Sequence, residues 1–210
     1  MINLLIADDH PLIREGLKKT LDGEIGIQVI CEASNGQETL DRVQQHDVHV
    51  VVMDFSMPGL SGIDVIKELK RQKPKLPILV LSMYPEERYG IRLIKAGAAG
   101  YLTKEGAPEN LVKAIRKVAE GGKYITPKLA EQLAIQVESS GEKFPHEHLS
   151  DREYQIFHLI AAGCTISEIA EKLFLSVNTI STYRSRLMEK LNFQSNAELI
   201  SYARSHSLIE

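Results

Sequence analysis

Residues 3–11 read NLLIADDHP and residues 48–59 read VHVVVMDFSMPG. Each is a short apolar run that breaks off at acid, the first at Asp8-Asp9 and the second at Asp54. Runs of Val, Ile and Leu without polar alternation suit strands buried on both faces, hence a parallel sheet covered by helices. Working outward, the same reading predicts strands at Asn3–Ala7, Gln28–Ala33, Val48–Met53, Ile78–Leu81 and Gly100–Leu102. Helical spacing lies between them. Pro11 stands at a first helical position, with Leu12, Ile13, Leu17 and Leu21 assigned to one face. Ile63, Ile66 and Leu69 follow, then Leu93 and Ile94 with Gly97 as a stop, then Leu111, Ala114, Ile115 and Val118. This alternation predicts an α/β doubly wound parallel five-stranded sheet over residues 1–120.

In such a sheet ligands bind beyond the carboxyl ends of the strands. The first strand ends in Asp8-Asp9, the third in Asp54, the fourth in Ser82 and the fifth in Thr103-Lys104. Taken singly, each has a plain structural reading: Asp9 as a helix cap, Asp54 as a turn residue before Met57-Pro58-Gly59, Ser82 and Lys104 as ordinary strand ends. Together they place useful chemistry at one edge from four of five strands. Three neighbouring carboxylates call for a cation, and oxygen-only ligation suits Mg²⁺. Asp54 can then serve as a nucleophile toward phosphorus, with Lys104 and the Ser82 hydroxyl holding phosphoryl oxygens.

The chain has 210 residues, enough for two modest domains. Lys and Arg number 25 against 28 Asp and Glu, so any nucleic-acid surface must be local. Cys31 and Cys164 form neither a disulfide framework nor a metal spacing, which fits a reducing cytosol. No apolar run approaches the roughly 20 residues of a membrane span, and the N-terminus lacks a signal-peptide pattern. A cytoplasmic protein without membrane contact is expected.

Past Gly121-Gly122 a short helical segment near Pro127–Val137 leads into SSGEKFPHEH, so residues 121–148 are expected to form a linker. From 149 to 210 the pattern is helical, at about 150–162, 166–173, 177–191 and 195–205. Ser150 and Glu153 make a capping box ahead of Tyr154, Ile156, Phe157 and Ile160, and Gly163 closes that helix. Ile166, Ile169, Ala170 and Leu173 give the second a buried stripe. Ser176 caps the third, whose apolar face is Val177, Ile180, Leu187 and Leu191. Two short helices, a tight connection and a polar second helix are the helix-turn-helix arrangement. Asn178, Ser181, Thr182 and Ser185 point away from the core on a 3.6-residue wheel, flanked by Arg186 and Lys190, while Arg184 sits at the edge of the stripe. Six cations face seven anions over 149–210, but 176–191 alone carries +2, a patch able to meet phosphates. A single copy would bind weakly, so a homodimer on paired half-sites of double-stranded DNA is expected. A small helical bundle that binds protein is the competing reading of these residues.

ADDH at 7–10, MDFSMPG at 53–59, LS at 81–82 and GAAGYLTK at 97–104 resemble the receiver domain of bacterial two-component response regulators, a flavodoxin-like fold. The resemblance covers about residues 1–120. It implies Asp54 as phosphoacceptor from a histidine kinase, and Asp8, Asp9, Asp54 and the Ser56 carbonyl around Mg²⁺. It also implies Ser82 and Tyr101 as a switch pair. Glu105 follows Lys104 where the commoner receiver pattern has Pro, and a cis peptide there would cost roughly 2.5–4 kcal/mol. Tyr84, two residues after Ser82, is expected to shield the site from water and slow dephosphorylation. Residues 149–191 are similar to the LuxR-type helix-turn-helix through LS-x-RE, EIAEKL and S-x-x-TI followed by KL. Receiver plus this output resembles the NarL/FixJ class, most like the GacA/UvrY and BvgA branch. The resemblance implies base reading at Ser181, Thr182 and Ser185, and dimerisation on phosphorylation. It implies a transcription regulator rather than a turnover enzyme. An aspartyl-phosphate phosphohydrolase is a rival reading. It usually needs a second acid two residues past the nucleophile, where Ser56 stands. A receiver acting only through protein contacts is another.

Overall fold

The structure, a computed structural model, describes residues 1–138, 144–206, 208 and 209. Residues 139–143, the first half of the SSGEKFPHEH stretch, lie outside the described residues. Two compact units are formed, Met1–Ala134 and Ile135–Glu210.

In the first unit, β1 (Ile2–Ala7), β2 (Ile27–Ala33), β3 (Val50–Asp54), β4 (Ile78–Ser82) and β5 (Gly100–Thr103) alternate with helices α1 (Pro11–Leu21), α2 (Gly36–Gln45), α3 (Gly62–Gln72), α4 (Glu86–Ala96) and α5 (Ala107–Ala119). The strands are all parallel in the order β2-β1-β3-β4-β5. The chain reverses its winding between β1 and β3, the position at whose carboxyl edge sheets of this kind bind ligands. Every residue of β3 and β4 is buried, as strands covered on both faces require. One face packs Leu4, Ile6, Val52 and Leu81 against Leu17, Leu21, Leu111 and Ile115 of α1 and α5. Registry brings the strand ends level: Ala7 lies beside Met53, Asp54 beside Leu81, and Ser82 beside Thr103.

Several local features depart from the sequence reading. β3 starts at Val50, because the Val48 N–H turns back to the His46 carbonyl. Leu12 is 85% exposed and Ile13 also faces solvent, leaving Leu17 and Leu21 as the buried residues of α1. Leu12 sits five positions before Leu17, well round the helix from it. α2 was not among the predicted helices; Leu40 and Val43 are its only large buried apolar residues, and Asn35 caps it by accepting from the Glu38 N–H. Peptide bonds are trans among the described residues.

The stretch beyond α5 is more than connector. Tyr124 pairs with β5, its N–H donating to the Ala99 carbonyl and its carbonyl accepting from Tyr101 N–H. α6 (Pro127–Glu138) then begins against α4. Leu129 is fully buried over Gly90, where a Cβ would stand 2.9 Å from a Leu129 methyl. Thr126 bonds Glu86, and Lys128 pairs with Glu87.

In the second unit, α7 (Asp151–Ala161) is buried continuously from Glu153 to Ala161. Helices α8 (Ile166–Lys172), α9 (Val177–Leu191) and α10 (Asn196–Ser205) pack around it. The Ser150–Glu153 capping box forms as expected, and Thr165–Glu168 makes a second one. Tyr154 and Phe157 lie in the core. Pro145–His148 forms a 3-10 turn whose His146 is buried, its Nδ1 2.9 Å from the Tyr202 hydroxyl. No helix among the described residues is long and apolar enough to cross a membrane.

Candidate functional site

The level strand ends bring four of the expected residues, Asp8, Asp9, Asp54 and Lys104, close together. Asp8, directly after β1, is fully buried; its Oδ1 accepts the His10 N–H at 2.9 Å and its Oδ2 accepts Lys104 Nζ at 2.7 Å. Asp54, the last residue of β3, is buried as well; its Oδ2 accepts the same Nζ at 2.8 Å and its Oδ1 accepts the Ser56 N–H at 3.0 Å. Lys104 thus bridges two buried carboxylates from the end of β5, held there by its own N–H on the Ser82 carbonyl. Burial pushes the Asp54 carboxyl up from its ordinary value, against the pull of the Lys104 ammonium and the Ser56 amide. Burial opposes the charge on Lys104 too, but its two carboxylate bonds win and raise it.

Asp9 completes the acidic set. Its Oδ1 is shielded from water and lies 3.0 Å from the His10 Nδ1. Asp8, Asp9, His10 and Asp54 each offer one donor atom, all within 4.8 Å of one another. Three carboxylates gathered so closely, one with a shielded oxygen, fit a hard divalent cation with oxygen ligands.

Ser82 is fully buried; its Oγ accepts the Tyr84 N–H at 3.0 Å. Tyr101 is buried too, and its hydroxyl donates to the Tyr84 carbonyl at 2.7 Å. Burial drives the Tyr101 phenol well up, and Tyr84 links the two side chains through its N–H to Ser82 and its carbonyl to Tyr101. The Tyr84 ring lies edge-on to Tyr89 and under the Arg88 guanidinium, 5.0 Å from its centroid.

Two neighbours escaped the sequence reading. The His10 ring sets Nδ1 3.0 Å from Asp9 Oδ1. Arg14 donates to the Asp8 carbonyl at 2.7 Å and to Glu32 at 2.8 Å. Arg14 stands one turn past the Asp8-Asp9 pair, which was the available signal; its use depends on β2 lying alongside.

The second unit displays the other predicted surface. Asn178, Ser181, Thr182, Ser185 and Arg186 are exposed on α9, and Ser176 caps it by accepting the Thr179 N–H. The basic residues are less available than their count suggests. Lys190 donates to buried Glu153 at 2.7 Å, and Arg184 donates twice to Asn196 Oδ1, at 3.1 and 2.8 Å. Val177, expected on the apolar face, is 47% exposed, because as the first residue of α9 it lies at the edge of the packing.

Both architectures match known families. Residues 4–116 match the response regulator receiver domain, and residues 147–203 match the bacterial regulatory proteins of the luxR family. The chain is a response regulator with a LuxR-type DNA-binding domain. It is 39% identical over 209 residues to the response regulator UvrY of Escherichia coli K12, covering 99% of this chain and 96% of that protein. It is 38% identical to the response regulator GacA of Pseudomonas aeruginosa over 211 residues, covering 100% and 99%. Among solved structures, RcsB from Salmonella enterica serovar Typhimurium, bound to promoter rprA with a phosphomimetic, superposes with a TM-score of 0.64 at 30% identity, covering 96% of this chain and 97% of that one. The acidic edge lies within the matched receiver domain, and the exposed face of α9 within the matched LuxR-type domain.

Proposed function

We propose that a histidine kinase transfers a phosphoryl group to Asp54, and that this controls a cytoplasmic, DNA-binding transcription regulator. An Asp54 carboxylate oxygen bonds to phosphorus as the donor's N–P bond breaks and the imidazole leaves. Lys104, already between Asp8 and Asp54, stays with the transferred oxygens and offsets their charge. Asp8, Asp9, Asp54 and the Ser56 carbonyl would hold Mg²⁺, which supplies further charge neutralisation at the phosphoryl group. The observation that carries the reading is the single ammonium bridging Asp8 and Asp54, with an Asp9 carboxylate oxygen within 4.8 Å of theirs.

Ser82 and Tyr101 form the switch. The Ser82 hydroxyl moves to the phosphoryl oxygens; the Tyr101 ring, expected to turn inward with it, is already buried with its hydroxyl on the Tyr84 carbonyl. Two phosphorylated copies then pair, and α9 of each reads DNA through Ser181, Thr182 and Ser185, with Asn178 and Arg186 beside them. Lys190 reaches a phosphate only by leaving Glu153. Phosphorylation biases this equilibrium by a coupling of about 1–3 kcal/mol. The protein takes up one phosphoryl group per activation rather than turning over esters, in keeping with Ser56, not an acid, two residues beyond Asp54.

Intact-mass measurement after acetyl phosphate and Mg²⁺ tests the reading. One phosphoryl adduct on the wild type and none on Asp54→Asn is expected, with tighter DNA binding only for the wild type. An adduct on Asp54→Asn, or steady hydrolysis of p-nitrophenyl phosphate, would overturn it.

A further inference from the structure

Between α8 and α9 the backbone passes through Leu173, Phe174, Leu175 and Ser176. Phe174 has φ +54°, in the left-handed region where glycine and asparagine are at ease and a bulky side chain is strained. The conformation ends α8: the Phe174 N–H donates to the Glu171 carbonyl at 3.1 Å and the Leu175 N–H to the Ala170 carbonyl at 2.9 Å. Glycine would make both bonds without strain. The ring has no aromatic or cationic partner among the described residues and is 62% exposed. The larger part of the ring therefore lies outside the domain's own packing. Strain kept at an exposed aromatic side chain directs attention to an external contact.

The location says what that contact is. Ser176, two residues on, caps α9, and exposed Val177 is its first residue. In a helix-turn-helix the N-terminal end of the second helix meets the base edges, so the turn before it lies at the rim of the groove. The exposed run Asn178, Ser181, Thr182 and Ser185 continues from the same end. These side chains are small, and Lys190 and Arg184 are engaged within the domain. A phenyl ring at the rim would supply apolar area that the helix face lacks.

We propose that Phe174 is a DNA-contact residue, its ring lying against a deoxyribose and a thymine methyl at the edge of the major groove. This rests on α9 being the recognition helix. The ring neutralises no phosphate and releases no counterion. Its loss therefore weakens binding without changing the slope of log affinity against log salt.

The test uses the full chain with beryllofluoride and Mg²⁺, and a duplex of about three helical turns selected by the wild type from a random pool. Wild type, Phe174→Gly, Phe174→Asn and Phe174→Tyr are compared by fluorescence anisotropy at several salt concentrations, and by thermal unfolding. Phe174→Gly and Phe174→Asn should bind about tenfold more weakly with the wild-type salt slope. Their unfolding midpoints should be equal or higher, and Phe174→Tyr should keep its affinity. Affinity within twofold of wild type for the Gly variant overturns the proposal, as does a loss accompanied by a lower midpoint or a shallower slope. Unchanged DNA affinity with reduced transcription would assign the ring to a protein partner and overturn it equally. If the wild type selects no duplex at all, the recognition-helix reading fails and this proposal falls with it.

Discussion

At the receiver's carboxyl edge, Asp8 and Asp54 are buried and share one ammonium, whereas along α9 Asn178, Ser181, Thr182 and Ser185 are exposed. The first surface is held in place by the fold, and removing its one ammonium leaves two buried carboxylates uncompensated. The second surface is carried on a helix whose stability comes from its other face, through Ile180, Leu187 and Leu191. Chemistry at phosphorus needs groups fixed before the reactant arrives. Reading DNA needs side chains that the protein itself does not consume.

The sharpest way to break that comparison is Lys104→Ala. Asp8 and Asp54 would then face each other in a site from which water is excluded. The receiver should lose about 3 kcal/mol in urea unfolding without metal, and added Mg²⁺ should recover part of it. A loss below about 1 kcal/mol would mean the pocket is not locked by its own charges.

The same contrast governs what could be read from residues alone. Apolar runs ending in acid placed the strands, and their shared carboxyl edge brought Asp8, Asp54, Ser82 and Lys104 together, because parallel pairing leaves few registers. The caps at Ser150 and Ser176 were equally legible, being local. α2 was not, since Leu40 and Val43 alone make too weak a stripe. Leu12 and Val177 were assigned to buried faces, but each sits in the first turn of its helix, where burial depends on neighbours far along the chain. The positive charge of α9 was overcounted for the same reason: the acid that engages Lys190 lies 37 residues earlier in sequence.

Glu153 ties the DNA-binding domain's core to that charge, and it gives a middle-sized effect. Burial works against its charge, but the Lys190 ammonium and the Ser150 cap hold its carboxyl below the ordinary value. A carboxylate depressed in the folded state contributes stability that is present above its unfolded pKa, ~4.3, and is lost as pH falls through the folded value. The domain should weaken on acidification below that point. Glu153→Gln should cost about 1–2 kcal/mol at neutral pH and flatten the acid limb of the unfolding curve. An unchanged acid limb would show that Lys190 is held elsewhere, leaving its charge available to DNA.

Ser185→Ala probes the other side of the comparison at the smallest scale. The Ser185 hydroxyl donates to the Ser181 carbonyl at 3.1 Å, a bond to a backbone group that already serves the helix. Nothing in the core touches it, and alanine is the better helix former by about 0.5 kcal/mol. Stability should therefore hold or rise slightly in thermal unfolding. DNA affinity should fall, because the hydroxyl is free to exchange its carbonyl for a base edge at little cost to the fold. A variant that loses stability and keeps its affinity would place Ser185 with the residues that build the domain, and the contrast with Asp54 and Lys104 would disappear at that position.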